Sequence, residues 1–172
     1  MTSIGPYCQP MDFSHMYKLS DIRGPYPVKS YNPNSLMGYI AGRDDMTRMS
    51  FLMRLAKLDG LYNDPQADFT LFVPLDTSLT DISDSVFINM DDCIARSIVQ
   101  SLTLKRVIPC QLIEDSRLSK YSTMNQYNKI FIAISKEGTV FVNKDAKVIE
   151  KDIRISNGMI HTIDKLIWPI MV

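Results

Sequence analysis

The run Asn157-Gly158-Met159-Ile160-His161-Thr162-Ile163-Asp164 constrains this chain more than any other stretch. Asn-Gly is the strongest short hairpin signal, because a type I′ turn needs positive φ at both central residues. The residues that follow alternate with a period of two, so Met159, His161 and Ile163 face one side of a strand while Ile160, Thr162 and Asp164 face the other. The expectation is a tight turn feeding a core strand. His161 then points inward as a hydrogen-bonded structural group, and Asp164 accepts backbone amides at the strand end.

Apolar spacing supplies the remaining elements. From Met46 to Leu61, residues Met49, Phe51, Leu52, Met53, Leu55, Ala56 and Leu58 cover a broad arc opposite Ser50, Arg54 and Lys57, which predicts one helix. Asp44 and Asp45 suit its N-terminus, and Gly60 suits a left-handed end. Phe69 to Pro74 reads as a buried strand closed by proline. Asp91 and Asp92 open a second helix carrying Ile94, Ala95, Ile98, Val99 and Leu102 on one face and ending near Thr103. Strands are predicted over 104–108, 129–134, 139–142, 147–150, 153–155 and 159–163, with Glu137-Gly138 as a further turn. Helices first and strands afterwards imply an α+β fold.

Residues 1–35 behave differently. Pro6, Pro10, Pro25, Pro27 and Pro33 alternate with Tyr7, Tyr17, Tyr26 and Tyr31 and show no apolar period. Proline removes amide donors and favours extended backbone, while the aromatics bring contact area, so we expect an extended arm that lies along another surface. The compact domain is then 36–172.

Several function classes are disfavoured. Nineteen Lys and Arg balance nineteen Asp and Glu, so no global field steers the protein to nucleic acid. No stretch reaches the ~18 apolar residues of a membrane span, and Met1 to Pro10 lacks the pattern of a signal peptide. The expected location is therefore inside a cell or a virus particle, with an extracellular one as the alternative. Cys8, Cys93 and Cys110 are odd in number and lack C-x-x-C pairing, which points to thiols. The only histidines are His15 and His161, so no Ser-His or Cys-His arrangement can be assembled from the sequence. Asp44-Asp45, Asp81 with Asp84, and Asp91-Asp92 read as helix caps and polar loops, without calcium or zinc spacing. Glycine-rich phosphate loops are absent. The expectation is no enzyme, no metal and no cofactor.

Three landmarks resemble the fasciclin (FAS1) domain family. The first is Phe69-Thr70-Leu71-Phe72-Val73-Pro74-Leu75-Asp76-Thr77-Ser78-Leu79, similar to the family's T-x-F-x-P-T-N-x-A-F motif. The second is Leu104-Lys105-Arg106-Val107-Ile108-Pro109, where the family carries Tyr-His ahead of Val-Val-Pro. The third runs through Val140-Phe141-Val142-Asn143 and Asp152-Ile153 into Asn157 to Pro169, similar to the ending N-G-x-I-H-x-I-D-x-x-L-x-P. The resemblance covers about 36–170 and implies a wedge of two β-sheets packed with short helices. It makes Pro74, Asp76, Asn157, Gly158, His161 and Asp164 structural motif residues.

Departures from the family are informative. Asp76 replaces the usual Asn and can cap the following turn. Cys110 replaces a glycine. Lys105-Arg106 replaces the Tyr-His pair that is implicated in integrin-mediated adhesion in animal members, which argues against that function here. As strand neighbours, Lys105 and Arg106 should face opposite sides, so at most one belongs to a given basic patch. Two readings follow. One is a non-enzymatic structural module, a component of a larger assembly such as a minor capsid or cement protein of a large virus particle. Its neighbours would be contacted through Tyr7, Tyr26 and Tyr31 of the arm and through Lys105 and Arg106. The alternative is an extracellular or cell-surface adhesion module binding protein or carbohydrate.

Overall fold

A computed structural model describes residues 30–110 and 118–169. Tyr7, Tyr26, Cys8 and His15 lie outside the described residues, so the expectations placed on them are not addressed by the fold.

The helical half comprises α1 (Leu36–Ala41), α2 (Thr47–Leu55), α3 (Asp59–Asn63), α4 (Asp84–Ile88) and α5 (Asp92–Ser101), with β1 (Phe69–Pro74) and a 3-10 turn (Asp76–Leu79) between α3 and α4. The strand half comprises β2 (Thr103–Leu104), β3 (Leu118–Ser122), β4 (Lys129–Ile134), β5 (Val140–Val142), β6 (Ala146–Lys147), β7 (Ile153–Ile155) and β8 (Gly158–Ile163). They form two four-stranded sheets, ordered β2-β1-β8-β7 and β3-β4-β5-β6. The α+β class is thus realised as two sheets packed with short helices.

At the centre of the first sheet, β1 and β8 run parallel, Phe72 opposite His161. Parallel strands are covered on both faces, and all six residues of β8 are buried. The expected division into a core face and a solvent face therefore does not occur, since Ile160 and Thr162 are as inaccessible as His161.

The predicted helix over 46–61 is two helices. Lys57 adopts φ 61° after α2. Lys57 N–H donates to the Arg54 carbonyl and Leu58 N–H to that of Met53, each at 3.0 Å, which is the Schellman arrangement. The left-handed position therefore falls on a lysine, and Gly60 lies inside α3. The α2 N-terminus is closed by neither Asp44 nor Asp45. Arg43 holds Asp45 at 2.7 Å. Asp76 accepts instead from Thr47 N–H and Arg48 N–H, both at 3.0 Å, so it caps a helix behind it in sequence rather than the turn that follows.

The predicted type I′ turn at Asn157-Gly158 is also absent. The two-residue loop between β7 and β8 is Ser156-Asn157, with Ile155 opposite Gly158. Among the described residues, positive φ occurs at Lys57, Gly138, Asn143, Lys144 and Asp152, and not at Asn157 or Gly158. Gly158 is required for a different reason. A Cβ there would collide with the Phe69 carbonyl oxygen and lie 2.8 Å from Leu36 Cδ1.

Packing onto the domain begins before Leu36. The Tyr31 hydroxyl donates to Asp59 Oδ2 at 2.8 Å, and Ser35 Oγ caps α1 by accepting from Gly38 N–H.

Candidate functional site

The chemistry-bearing cluster with the greatest burial joins Cys110, Asp152 and His161, whose ligand-capable atoms lie within 4.8 Å of one another. His161, on β8, is fully buried. Its Nδ1 accepts the Asp152 N–H at 3.0 Å, and its Nε2 lies 2.9 Å from the Ile108 carbonyl. An acceptor Nδ1 requires the proton on Nε2, which then donates to Ile108, so the ring is held as one neutral tautomer. Burial pushes its pKa below the ordinary value, outweighing the Ile108 carbonyl and the Asp152 charge.

This cluster is not arranged for nucleophilic catalysis. A working base is oriented through one ring nitrogen and takes a proton through the other. Here Cys110 Sγ lies 3.7 Å from Nδ1, the nitrogen already engaged by the Asp152 amide. Cys110 is 1% exposed, so no substrate reaches the sulfur. A metal on Nδ1 would have to displace the same amide, and Asp152 Oδ1 is committed to Cys110 N–H at 2.8 Å. The three residues cross-link the 108–110 segment, the loop before β7 and β8. Asp152 reaches both partners from a left-handed conformation at φ 60°.

Pro74 ends β1 opposite Ile163, and Asp164 Oδ1 accepts Lys147 N–H at 2.7 Å. Asn157 is 2% exposed and works as a buried connector rather than a turn residue. Its Oδ1 accepts Leu36 N–H at 2.7 Å, and its amide donates to the carbonyls of Tyr62 and Asp64 at 3.0 and 2.9 Å. No periodicity marks a residue by such a role; the only signal was its polarity ahead of an apolar strand.

Lys105 and Arg106 occupy a surface notch. The predicted strand over 104–108 stops at Leu104. The Thr70 hydroxyl donates to the Arg106 carbonyl at 2.7 Å and accepts Ile108 N–H at 2.8 Å, drawing the segment onto β1. Because the pair lies in a loop, the alternation rule does not apply. Both side chains line one cavity of about 440 Å³, with Lys120, Tyr121, Ser122 and Thr123 of the opposite wall. The Arg106 guanidinium stands 5.5 Å from the centre of the Tyr121 ring. Among the described residues, no carboxylate lines this notch. Sequence reasoning missed Lys120 and Tyr121, because β3 carries no clear period.

A second exposed surface lies around the end of the second sheet. Tyr127, Phe131 and Trp168, respectively 58%, 49% and 52% exposed, line a cleft with Lys120, Lys129 and Lys144. Exposed aromatics beside polar groups are common in contact surfaces.

Comparison with known proteins agrees with this architecture. A fasciclin domain family model matches residues 44–169. Stabilin-2 of Rattus norvegicus is 32% identical over 103 residues, which cover 59% of this chain and 7% of that protein. Stabilin-2 of Mus musculus is 35% identical over 103 residues, covering 59% and 4%. The chain thus corresponds to a small part of these relatives. FAS1 domain-containing protein 081L of Invertebrate iridescent virus 3 is 25% identical over 127 residues, covering 67% of this chain and 71% of the viral protein. Among solved structures, a FAS1 domain pair from the insect cell adhesion molecule fasciclin I superposes with a TM-score of 0.66 at 18% identity, covering 80% of this chain and 51% of that one. The chain belongs to the fasciclin domain family.

Proposed function

We propose that the chain is a non-catalytic interaction module acting as a component of a larger assembly. One contrast carries this reading. Cys110 and His161 are buried and, with the exposed Asp152, are occupied by one another and by backbone, whereas Lys105 and Arg106 are exposed at a notch that no carboxylate among the described residues lines. A surface built for contact needs no nucleophile. The existence of a viral relative, matched over 71% of its length, supports a viral setting, in which we read the role as that of a minor capsid or cement protein. The proline- and tyrosine-rich sequence of residues 1–29, with Tyr7 and Tyr26, suits contact with such neighbours, while Tyr31 serves the domain through Asp59.

Isolation of the native protein under mild conditions, with identification of what accompanies it, tests this reading. Stoichiometric co-purification with particle or complex subunits is expected, and a chain lacking 1–29 should stay folded and lose them. A purified protein without partners but with turnover of a small substrate would overturn it.

The alternative, a cell-surface adhesion module, is favoured by the likeness to the insect cell adhesion molecule. Recovery of the mature protein from the outer cell surface, with binding of cells to the immobilised domain, would select it.

A further inference from the structure

We infer that Asn157-Gly158 is a site of spontaneous deamidation that the native fold keeps closed, so that modification there marks a chain that has dwelt unfolded and bars it from refolding. This is the only Asn-Gly pair in the sequence. In an open chain the backbone nitrogen after an asparagine can attack the side-chain Cγ, and glycine hinders it least because it carries no Cβ. A bond from Gly158 N to Asn157 Cγ closes a succinimide ring as the bond from Cγ to Nδ2 breaks. Nδ2 leaves as ammonia, taking the proton of the Gly158 amide. Solvent water then opens the ring at either carbonyl, giving aspartate or isoaspartate.

The fold withholds what this reaction needs. Asn157 is buried, which keeps water from the ring-opening step. Its Oδ1 is held by Leu36 N–H and its Nδ2 by the Tyr62 and Asp64 carbonyls, so turning Cγ onto Gly158 N would break all three bonds. The backbone is fixed on both sides. Ser156 N–H and the Ser156 hydroxyl both donate to the Asn34 carbonyl, and Gly158 is registered between Ile155 of β7 and Phe69 of β1. The same contacts explain why so labile a pair stands here. A side chain at 158 would strike the Phe69 carbonyl and Leu36. Position 157 must offer one acceptor and two donors at once, which a primary amide supplies. Neither product does so. Aspartate sets a carboxylate against two carbonyl oxygens, and isoaspartate also lengthens the backbone of the two-residue loop by a methylene. A chain deamidated while unfolded therefore does not rebuild the joint, and its unfolding becomes irreversible.

The test uses the whole, unaltered chain, kept reduced in mildly alkaline buffer at urea concentrations spanning the unfolding transition. Peptide mass spectrometry reads Asn157 and every other asparagine over time. Asn157 in the native chain should deamidate at least about tenfold more slowly than in the fully unfolded chain or in a short Ser-Asn-Gly-Met peptide, and its rate should follow the unfolded fraction. After urea is removed, the refolded fraction should carry intact Asn157, while chains that fail to refold are enriched in aspartate and isoaspartate at that position. Deamidation of the native chain at the peptide's rate would overturn the closed site. Equal modification in the refolded and unrefolded fractions would overturn the bar to refolding. A rate that climbs ahead of unfolding would place the opening in the loop alone and overturn its link to the global transition.

Discussion

The Asn157 side-chain oxygen accepts the amide of Leu36 at 2.7 Å across 121 residues of sequence, tying the turn before β8 to the first residue of α1. Its amide bonds to Tyr62 and Asp64 complete a joint between helices and sheet. Asn157→Ala strands one buried donor and two carbonyls, so a loss of about 3 kcal/mol is expected. For a domain of this size that lowers Tm by roughly 10 °C. Asn157→Asp should be no better, because it sets an oxygen against two carbonyl oxygens. Parent-like melting of the Asp variant would show that the amide donors are not needed.

Two glycines should respond with opposite signs. Gly158→Ala puts a methyl group against the Phe69 carbonyl and Leu36, both fixed by packing, and should cost about 3 kcal/mol. Gly60 is exposed in α3 with nothing near its missing Cβ. Gly60→Ala should therefore stabilise by about 0.5 kcal/mol through reduced unfolded-state freedom. Urea midpoints at constant m-value separate the two.

What the sequence revealed follows the range of the interactions involved. The strands over 129–134 and 153–155 and the helix after Asp91 were read closely, because neighbouring residues decide them. The break at Lys57 escaped because left-handed geometry was assigned to the nearby Gly60. The end of β2 at Leu104 escaped because its cause, the Thr70 hydroxyl, lies more than thirty residues upstream. The same long-range contact makes the notch, so Lys105 and Arg106 could be singled out by family departure but not seen to share one cavity with Lys120.

Asp76 offers a further test of long-range capping. Its carboxylate accepts two amides of α2, takes the Thr47 hydroxyl at 2.5 Å and lies 3.8 Å from Arg48. Asp76→Ala should cost about 1 to 2 kcal/mol, and Asp76→Asn, the residue usual in the family, should recover only part of that, because it keeps one acceptor and turns an NH2 toward the other amide. Equal losses in thermal melts would show that a single acceptor oxygen contributes nothing to the cap.

Burial lowers the pKa of His161, so the folded state holds fewer protons than the unfolded state as pH falls below the ordinary histidine value of 6.5. Stability from the neutral ring is complete above that value and declines as pH drops through it toward the folded pKa. The parent should lose Tm between pH 7 and about pH 5. His161→Gln should be less stable at neutral pH, yet show a smaller fall across the same window. An unchanged slope in the variant would exclude His161 as its source.

The thiols should differ in a manner set by two opposing fields. Cys93 lies in the first turn of α5, where the helix dipole favours a thiolate. Asp92 and then Asp91 act in the opposite direction and raise the Cys93 pKa. Iodoacetamide labelling of the native chain at neutral pH, resolved by peptide mass spectrometry, should modify exposed Cys93 more slowly than a free cysteine peptide and leave buried Cys110 unmodified. Asp92→Asn should accelerate Cys93, with little further gain from added salt, because salt acts by screening the same carboxylates. A rate indifferent to both Asp92 and salt would mean that access, not charge, governs this cysteine.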